Sequence, residues 1–204
     1  MSPVANAWTT PRTWVTAEVV TSSLLNTHVR DNLTYLYGPR LHLTGVIDVA
    51  NTTTETDLVG AVITAGAMGT DRCVRCTILG DYLNNTAAAQ DLTLKVKLGS
   101  ATLYACTRST SGDATRGGVR ITVHLANQGG TAVQVGDVEL RIGDETAPTT
   151  GTGSFGTPRA FGNEALAAGT VDTTVNQTLG VTITHGVASA SLSLRRTYAL
   201  LEII

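Results

Sequence analysis

Leu92-Thr-Leu-Lys-Val-Lys-Leu98 decides the fold. Leucine or valine at every second position, with threonine and lysine between, is the period of a strand that buries one face and wets the other. As a helix the same residues would split their apolar side chains between opposite sides. Gly99-Ser100 follows as a turn, and Leu103-Tyr-Ala-Cys-Thr107 reads as the hairpin partner. The alternation returns in Val119, Ile121, Val123 and Leu125, separated by Arg120, Thr122 and His124. Residues 41–49, 58–63, 73–83, 133–142, 173–184 and 191–204 bring the expected total to about eight to ten strands. No helical pattern intervenes. Residues 41–204 are therefore expected to be mainly β: an antiparallel β-sandwich, with a jelly roll preferred over an immunoglobulin-like order.

Two stretches of this domain carry further expectations. Tyr198-Ala-Leu-Leu-Glu-Ile-Ile204 is apolar on both faces apart from Glu202. Such a strand belongs inside a sheet, with one side on the core and the other against a subunit interface. The chain ends on it, and no receptor-reading domain is expected to follow. Residues 143–170 form the one long irregular stretch and hold both phenylalanines, Phe155 and Phe161. Long loops in compact domains are usually functional or disordered, and two phenylalanines argue against plain disorder. This one is expected to pack on a neighbouring subunit or to fold onto its own sheet.

Residues 1–40 read differently, as an extended arm followed by one short α-helix. Trp8 and Trp14, both of the chain's tryptophans, bracket Thr-Thr-Pro-Arg-Thr, and Pro11 biases Thr10 towards an extended backbone. A solvated arm gains nothing from two indoles, so the arm reads as a docking peptide. Thr21, Ser22 and Ser23 offer capping hydroxyls, and Gly38-Pro39 supplies a stop. Between them Leu24, Leu25, Val29, Leu33, Tyr35, Leu36 and Tyr37 share one side of a helix of about four turns. That side is wider than the roughly 100° stripe of a helix lying on one core. It calls for more than one neighbour: the sandwich, a sister copy or a foreign surface.

The run Thr13-Trp-Val-Thr-Ala-Glu-Val-Val-Thr21, then Leu25-Asn-Thr-His-Val-Arg-Asp-Asn-Leu33, resembles a segment that opens many tailed-bacteriophage structural proteins. Those proteins show Trp-Val-x-Gly-Glu-Val-Val-Thr leading into Leu-Asn-x-His-Val-Arg-Asp-Asn-Leu. Ala17 stands where that pattern has glycine. Leu79-Gly-Asp-Tyr-Leu-Asn-Asn-Thr86 and Ser193-Leu-Arg-Arg-Thr-Tyr-Ala-Leu-Leu-Glu202 also resemble the β-domains of phage virion proteins. The resemblance implies a structural component of the virion, assembled in the bacterial host cytoplasm: a head decoration, a head fibre or a short tail fibre. Docking onto capsid, portal (connector) or tail proteins is then expected through Trp8, Trp14, Leu25, His28, Val29, Asn32, Leu33 and Leu36. By analogy with virion jelly rolls a homotrimer is expected, with Phe155 and Phe161 at the loop interface. The alternative is a carbohydrate-binding module that reads a host-surface glycan by avidity. Its aromatic candidates are Tyr82, Tyr104, Phe155 and Phe161.

Other classes find little support. A net charge of −2 and only two lysines, Lys95 and Lys97, leave no basic stripe, so no nucleic-acid partner is expected. No apolar run reaches the roughly 20 residues of a membrane span, and no secretory signal is visible. Cys73 and Cys76 form a C-x-x-C, but residues three apart on a strand point to opposite faces. No second ligand pair completes a site, so neither a metal nor a cofactor is expected. Gly151-Thr-Gly-Ser-Phe-Gly156 spells G-x-G-x-x-G without the helix and βαβ unit that motif needs. His28, His42, His124 and His185 are scattered, and Ser154 lacks nucleophile-elbow flanks. Asp48, Asp57, Asp137, Glu139 and Asp144 would become a carboxylate pair only by folding. No enzyme is expected.

Overall fold

A computed structural model of the chain describes residues 9–10, 12–33, 40–143 and 160–204. Eleven strands run through them: β1 (Arg40–Leu43), β2 (Ile47–Ala50), β3 (Thr56–Ile63), β4 (Cys73–Asn84), β5 (Gln90–Leu98) and β6 (Ala101–Thr110), then β7 (Asp113–Asn127), β8 (Gln134–Ile142), β9 (Ala160–Ala165), β10 (Gln177–His185) and β11 (Leu192–Ile203). One sheet has the order β1-β11-β4-β7-β8-β9, with β2 also paired to β11, and the other has β3-β10-β5-β6. All pairs are antiparallel. The fold is mainly β, an antiparallel sandwich. From β2 to β5, and again from β9 to β11, successive strands alternate between the sheets. That order is compatible with a jelly roll.

The alternating sequence explains the core. Leu92, Leu94, Val96 and Leu98 of β5 are at most 1% exposed. They lie beside Leu179, Val181 and Ile183 of the paired strand β10 and share one core with Val119, Ile121, Val123 and Leu125 of β7 in the other sheet. Opposite, Lys95 and Lys97 reach out to Glu55, Lys95 at 2.6 Å. Their ammonium groups pull the Glu55 carboxyl down to about 2. Gly99 turns the β5–β6 hairpin at φ +56°, a conformation that a residue with a Cβ adopts only with strain.

Three features depart from the sequence pattern. The opening stretch is two strands rather than one: β1 lies opposite Ala199 to Glu202 and β2 opposite Ser193 to Arg196, end to end along the same edge of β11. The irregular stretch contains β9, paired antiparallel to β8. Its Ala-Phe-Gly-Asn-Glu-Ala composition has little strand propensity, and an edge position with one partner does not demand more. Finally, β11 carries a bulge at Thr197, where Arg196 pairs with Gly80 and Tyr198 with Leu79. A Cβ on Gly80 would lie 1.9 Å from the Arg195 carbonyl oxygen, so only glycine fits beside the bulge. The extra residue swaps the parity of the strand. Arg196 therefore points inward, 5% exposed, where it donates to the Leu58 and Gly45 carbonyls, while Tyr198, Leu200 and Glu202 point outward.

Buried polar networks fasten both ends of the sandwich. Asn127 donates to the Gly69 carbonyl at 2.6 Å and to the Thr173 hydroxyl at 2.8 Å. Gln134 donates to Asn127 and to the Val171 carbonyl and accepts the Val171 N–H, so the connection before β10 is held by side chains. At the other end His185 stacks on the buried Tyr82 ring and meets the Val49 carbonyl at 3.0 Å. Tyr82 shares a 2.7 Å hydrogen bond with Thr110.

Candidate functional site

The N-terminal segment builds on short-range contacts. Thr21 caps α1 (Ser22–Leu25), its hydroxyl accepting the Leu24 N–H at 3.3 Å as the sequence suggests. The helix then widens into a π-helical stretch, Asn26–Asp31, and helical residues continue to Leu33. Asn32 is 5% exposed because its amide clasps the arm: Thr9 N–H donates to Oδ1 at 2.9 Å, and Nδ2 donates back to the Thr9 carbonyl at 2.8 Å. The arm folds over the helix rather than trailing from it. A turn at Thr16-Ala17 is closed by Glu18, which pairs with Arg12 and accepts the Val15 N–H. Arg12 in turn lies over the Trp14 ring, 5.2 Å from its centre. Ala17 adopts φ 66°, the left-handed region that glycine enters freely.

The apolar side chains of this segment face outward. Trp14, Val15, Val19, Val20, Leu25, Val29 and Leu33 are seven of the fifteen large apolar residues that stand exposed among the described residues. The other eight are scattered over the sandwich. His28 is half-buried, and its Nδ1 is enclosed without a hydrogen-bond partner. Of the docking residues expected from the sequence, Trp14, Leu25, Val29 and Leu33 each stand exposed, and the Asn32 amide is engaged by Thr9. Trp8, Leu36 and Phe155 lie outside the described residues. For Phe161 the backbone is placed, opposite Arg141 on β9.

A second candidate lies on the outer face of the seven-stranded sheet. There Arg75 and Thr77 of β4, Arg120, Thr122 and His124 of β7, Glu139 of β8, and Tyr198, Leu200 and Glu202 of β11 line an open cleft of about 430 Å³. Strand register sets the rows: Arg40, Glu202, Arg75, His124 and Asp137 run across one, and His42, Leu200, Thr77, Thr122 and Glu139 across the next. The carboxylates are all engaged. Glu202 takes Arg75 at 2.5 Å and Arg40 at 3.1 Å, and the Arg75 contact holds its carboxyl below the usual range. Glu139 takes Arg141 at 2.6 Å, and Asp137 meets His124 at 3.3 Å. The Tyr198 hydroxyl lies 3.0 Å from His42 Nδ1. Two groups stand apart. Arg120 pairs with no carboxylate among the described residues, and the Thr122 hydroxyl is enclosed without a hydrogen-bond partner although Thr122 is only 6% exposed. The sequence shows that these side chains alternate outward. It does not show which strands stand beside them.

The remaining candidates separate. Tyr82 is fully buried and cannot present its ring to a ligand, which corrects the expectation that it is an exposed aromatic. Tyr104 is half-buried and donates to Glu164 at 3.1 Å, across the edge between β6 and β9, and burial is the main cause that pushes its phenol up to about 12. Burial also pushes the Cys76 thiol up to about 12, while Cys73 is half-buried on the other face of β4. Among the described residues no group of three or more metal-ligating side chains comes together. No helix among them is long and apolar enough to cross a membrane.

No protein-family model matches the chain, and no curated protein does. Among solved structures the chain is similar to the CBM2 module of the evolved Dit of Lactobacillus casei BL23 phage J-1, with 9% identity and a TM-score of 0.33 over 71% of this chain and 68% of that one. It is also similar to a chain of infectious bursal disease virus Gx strain, with 12% identity and a TM-score of 0.25 over 82% of this chain and 40% of that one. Likenesses this remote carry no argument about function.

Proposed function

We propose that the chain is a structural subunit of a tailed-bacteriophage particle. It docks on another virion protein, of the capsid, portal or tail, through its N-terminal segment, and presents the sandwich outward. One observation carries this reading: Trp14, Val15, Val19, Val20, Leu25, Val29 and Leu33 stand exposed on a segment whose arm is tied to its helix by the Asn32–Thr9 hydrogen bonds. A solvated segment has no use for such side chains, whereas an anchor buries them. The phage assignment itself rests on the sequence resemblance of residues 13–33. Assembly of the sandwich into a homotrimer enters by analogy with virion jelly rolls, and light scattering of the purified chain tests it.

The docking test replaces Leu25, Val29 and Leu33 together by serine. These residues are exposed, so the chain is expected to fold with an unchanged melting temperature and to fall out of the assembled particle. Normal incorporation of the triple variant overturns the proposal.

A second reading, binding of a host-surface glycan, is favoured by the cleft on the seven-stranded sheet. There Tyr198 and Leu200 share the lining with Arg120, which pairs with no carboxylate among the described residues, and with the enclosed, unpartnered Thr122 hydroxyl.

A further inference from the structure

The charges on the outer face of the seven-stranded sheet do not close among themselves. Arg40, Arg75 and Arg141 each hold a carboxylate, and every carboxylate lining the cleft is held. Arg120 is left over. It sits directly opposite Leu79 on one side and Arg141 on the other, neither of which offers it a counter-charge, and it pairs with no carboxylate among the described residues. A guanidinium is always charged and presents a planar fork that matches a carboxylate in two parallel hydrogen bonds. Two residues along the same strand face, Thr122 holds an enclosed hydroxyl with no partner. An enclosed polar group left unpaired costs free energy, and an incoming hydroxyl or carboxylate oxygen would satisfy it.

The rest of the cleft says what carries the anion. Its volume of about 430 Å³ is within the range of small-ligand sites. Leu200 and the Tyr198 ring give it an apolar strip, which an inorganic anion does not need and the C–H face of a sugar ring does. Glu139 and Glu202 retain acceptor capacity beyond their arginine bonds, because a carboxylate accepts at about four lone-pair positions. Sugar hydroxyls would donate to them.

We propose that this cleft binds an acidic saccharide, a hexuronate unit whose carboxylate lies on Arg120, whose ring lies on Leu200 and Tyr198, and whose hydroxyls reach Thr122 and the flanking carboxylates. This rests on the glycan reading above and is independent of the docking segment.

The test is calorimetric titration of the full chain with tetramers of galacturonate, glucuronate and mannuronate, beside neutral maltotetraose and inorganic phosphate. At least one uronate tetramer binds, and raised salt weakens it. Arg120→Gln weakens binding roughly tenfold or more, the loss of one charge-assisted pair. Thr122→Val weakens it by a smaller factor. The melting temperature of Arg120→Gln stays at the wild-type value, since that side chain is exposed. Equal binding of maltotetraose overturns the acidic ligand and leaves the glycan reading standing. Binding of phosphate alone overturns the saccharide. Failure of every saccharide overturns both. Uronate binding that Arg120→Gln does not change overturns the site.

Discussion

The N-terminal segment and the sandwich use the same kinds of residue in opposite ways. In the sandwich most Leu, Ile and Val side chains point inward, at most a few per cent exposed, and the eight large apolar residues that stand exposed are scattered. In residues 14–33 the polar atoms of Thr21, Asn32 and Glu18 close on the segment's own backbone, and Leu25, Val29 and Leu33 are left 44–47% exposed. Hydrogen bonding gives this segment its shape, and apolar burial gives the sandwich its stability. Under the docking proposal, a segment shaped without a core keeps its apolar side chains for a partner.

The comparison breaks if truncating an apolar side chain costs the same in both regions. Ile121→Ala is expected to lower unfolding free energy by about 2–5 kcal/mol, because the site is fully packed, as read by urea denaturation. Val29→Ala is expected to change it by less than about 0.5 kcal/mol. Next in size is Gln134→Ala. It orphans the Val171 N–H and the Asn127 side-chain Oδ1 in a buried network, at about 1–3 kcal/mol. A loss as small as that of Val29→Ala would mean that the connection before β10 is held by something other than this network.

A smaller effect appears as a pH slope. Burial lowers the His185 pKa below its ordinary 6.5, against weaker opposing contributions from the Val49 carbonyl and Asp48. The unfolded chain then binds a proton that the folded chain refuses. Stability should be flat above pH 6.5 and should fall as pH drops below it, towards the folded pKa. The urea midpoint of His185→Gln should lack this component between pH 7.5 and pH 5, although it starts lower at neutral pH. An identical slope in both proteins would assign the acid sensitivity elsewhere. The smallest effect is local. Ala17→Gly relieves a left-handed backbone and should steady the arm by about 0.5–1 kcal/mol. It is read as slower hydrogen exchange at the Glu18 N–H, which bonds the Val15 carbonyl at 3.2 Å. Faster exchange would show that the turn prefers its Cβ.

Period-two patterning made the sandwich legible: Leu92 to Leu98 and Val119 to Leu125 occupy the core, and Thr21 caps the helix as its hydroxyl suggests. What escaped the pattern was set by partners. The edge strand β9 takes its conformation from β8 rather than from its own residues. Arg196 is buried because one extra residue at Thr197 swaps parity, and a period of two has no sign for an insertion. The sequence also gives no sign that the Asn32 amide is engaged by Thr9, 23 residues earlier. The cleft was hidden for a related reason. Arg75, Arg120, Glu139 and Glu202 are remote in sequence and meet only through strand register.

The pairing of β11 with β1 and β2 has a consequence in time. Its contacts reach back to β1 over 156 residues, as between Tyr198 and His42, and β10 must likewise find β3 and β5. Domains dominated by such distant pairings fold in milliseconds to seconds, because loop closure comes before any reward. The N-terminal segment closes over 23 residues and has no such wait. During synthesis its uncovered leucines and valines would therefore be in place while the sheets are still open beside them. Expression at lower temperature, or together with the docking partner proposed above, should raise the yield of soluble chain by shielding this interval.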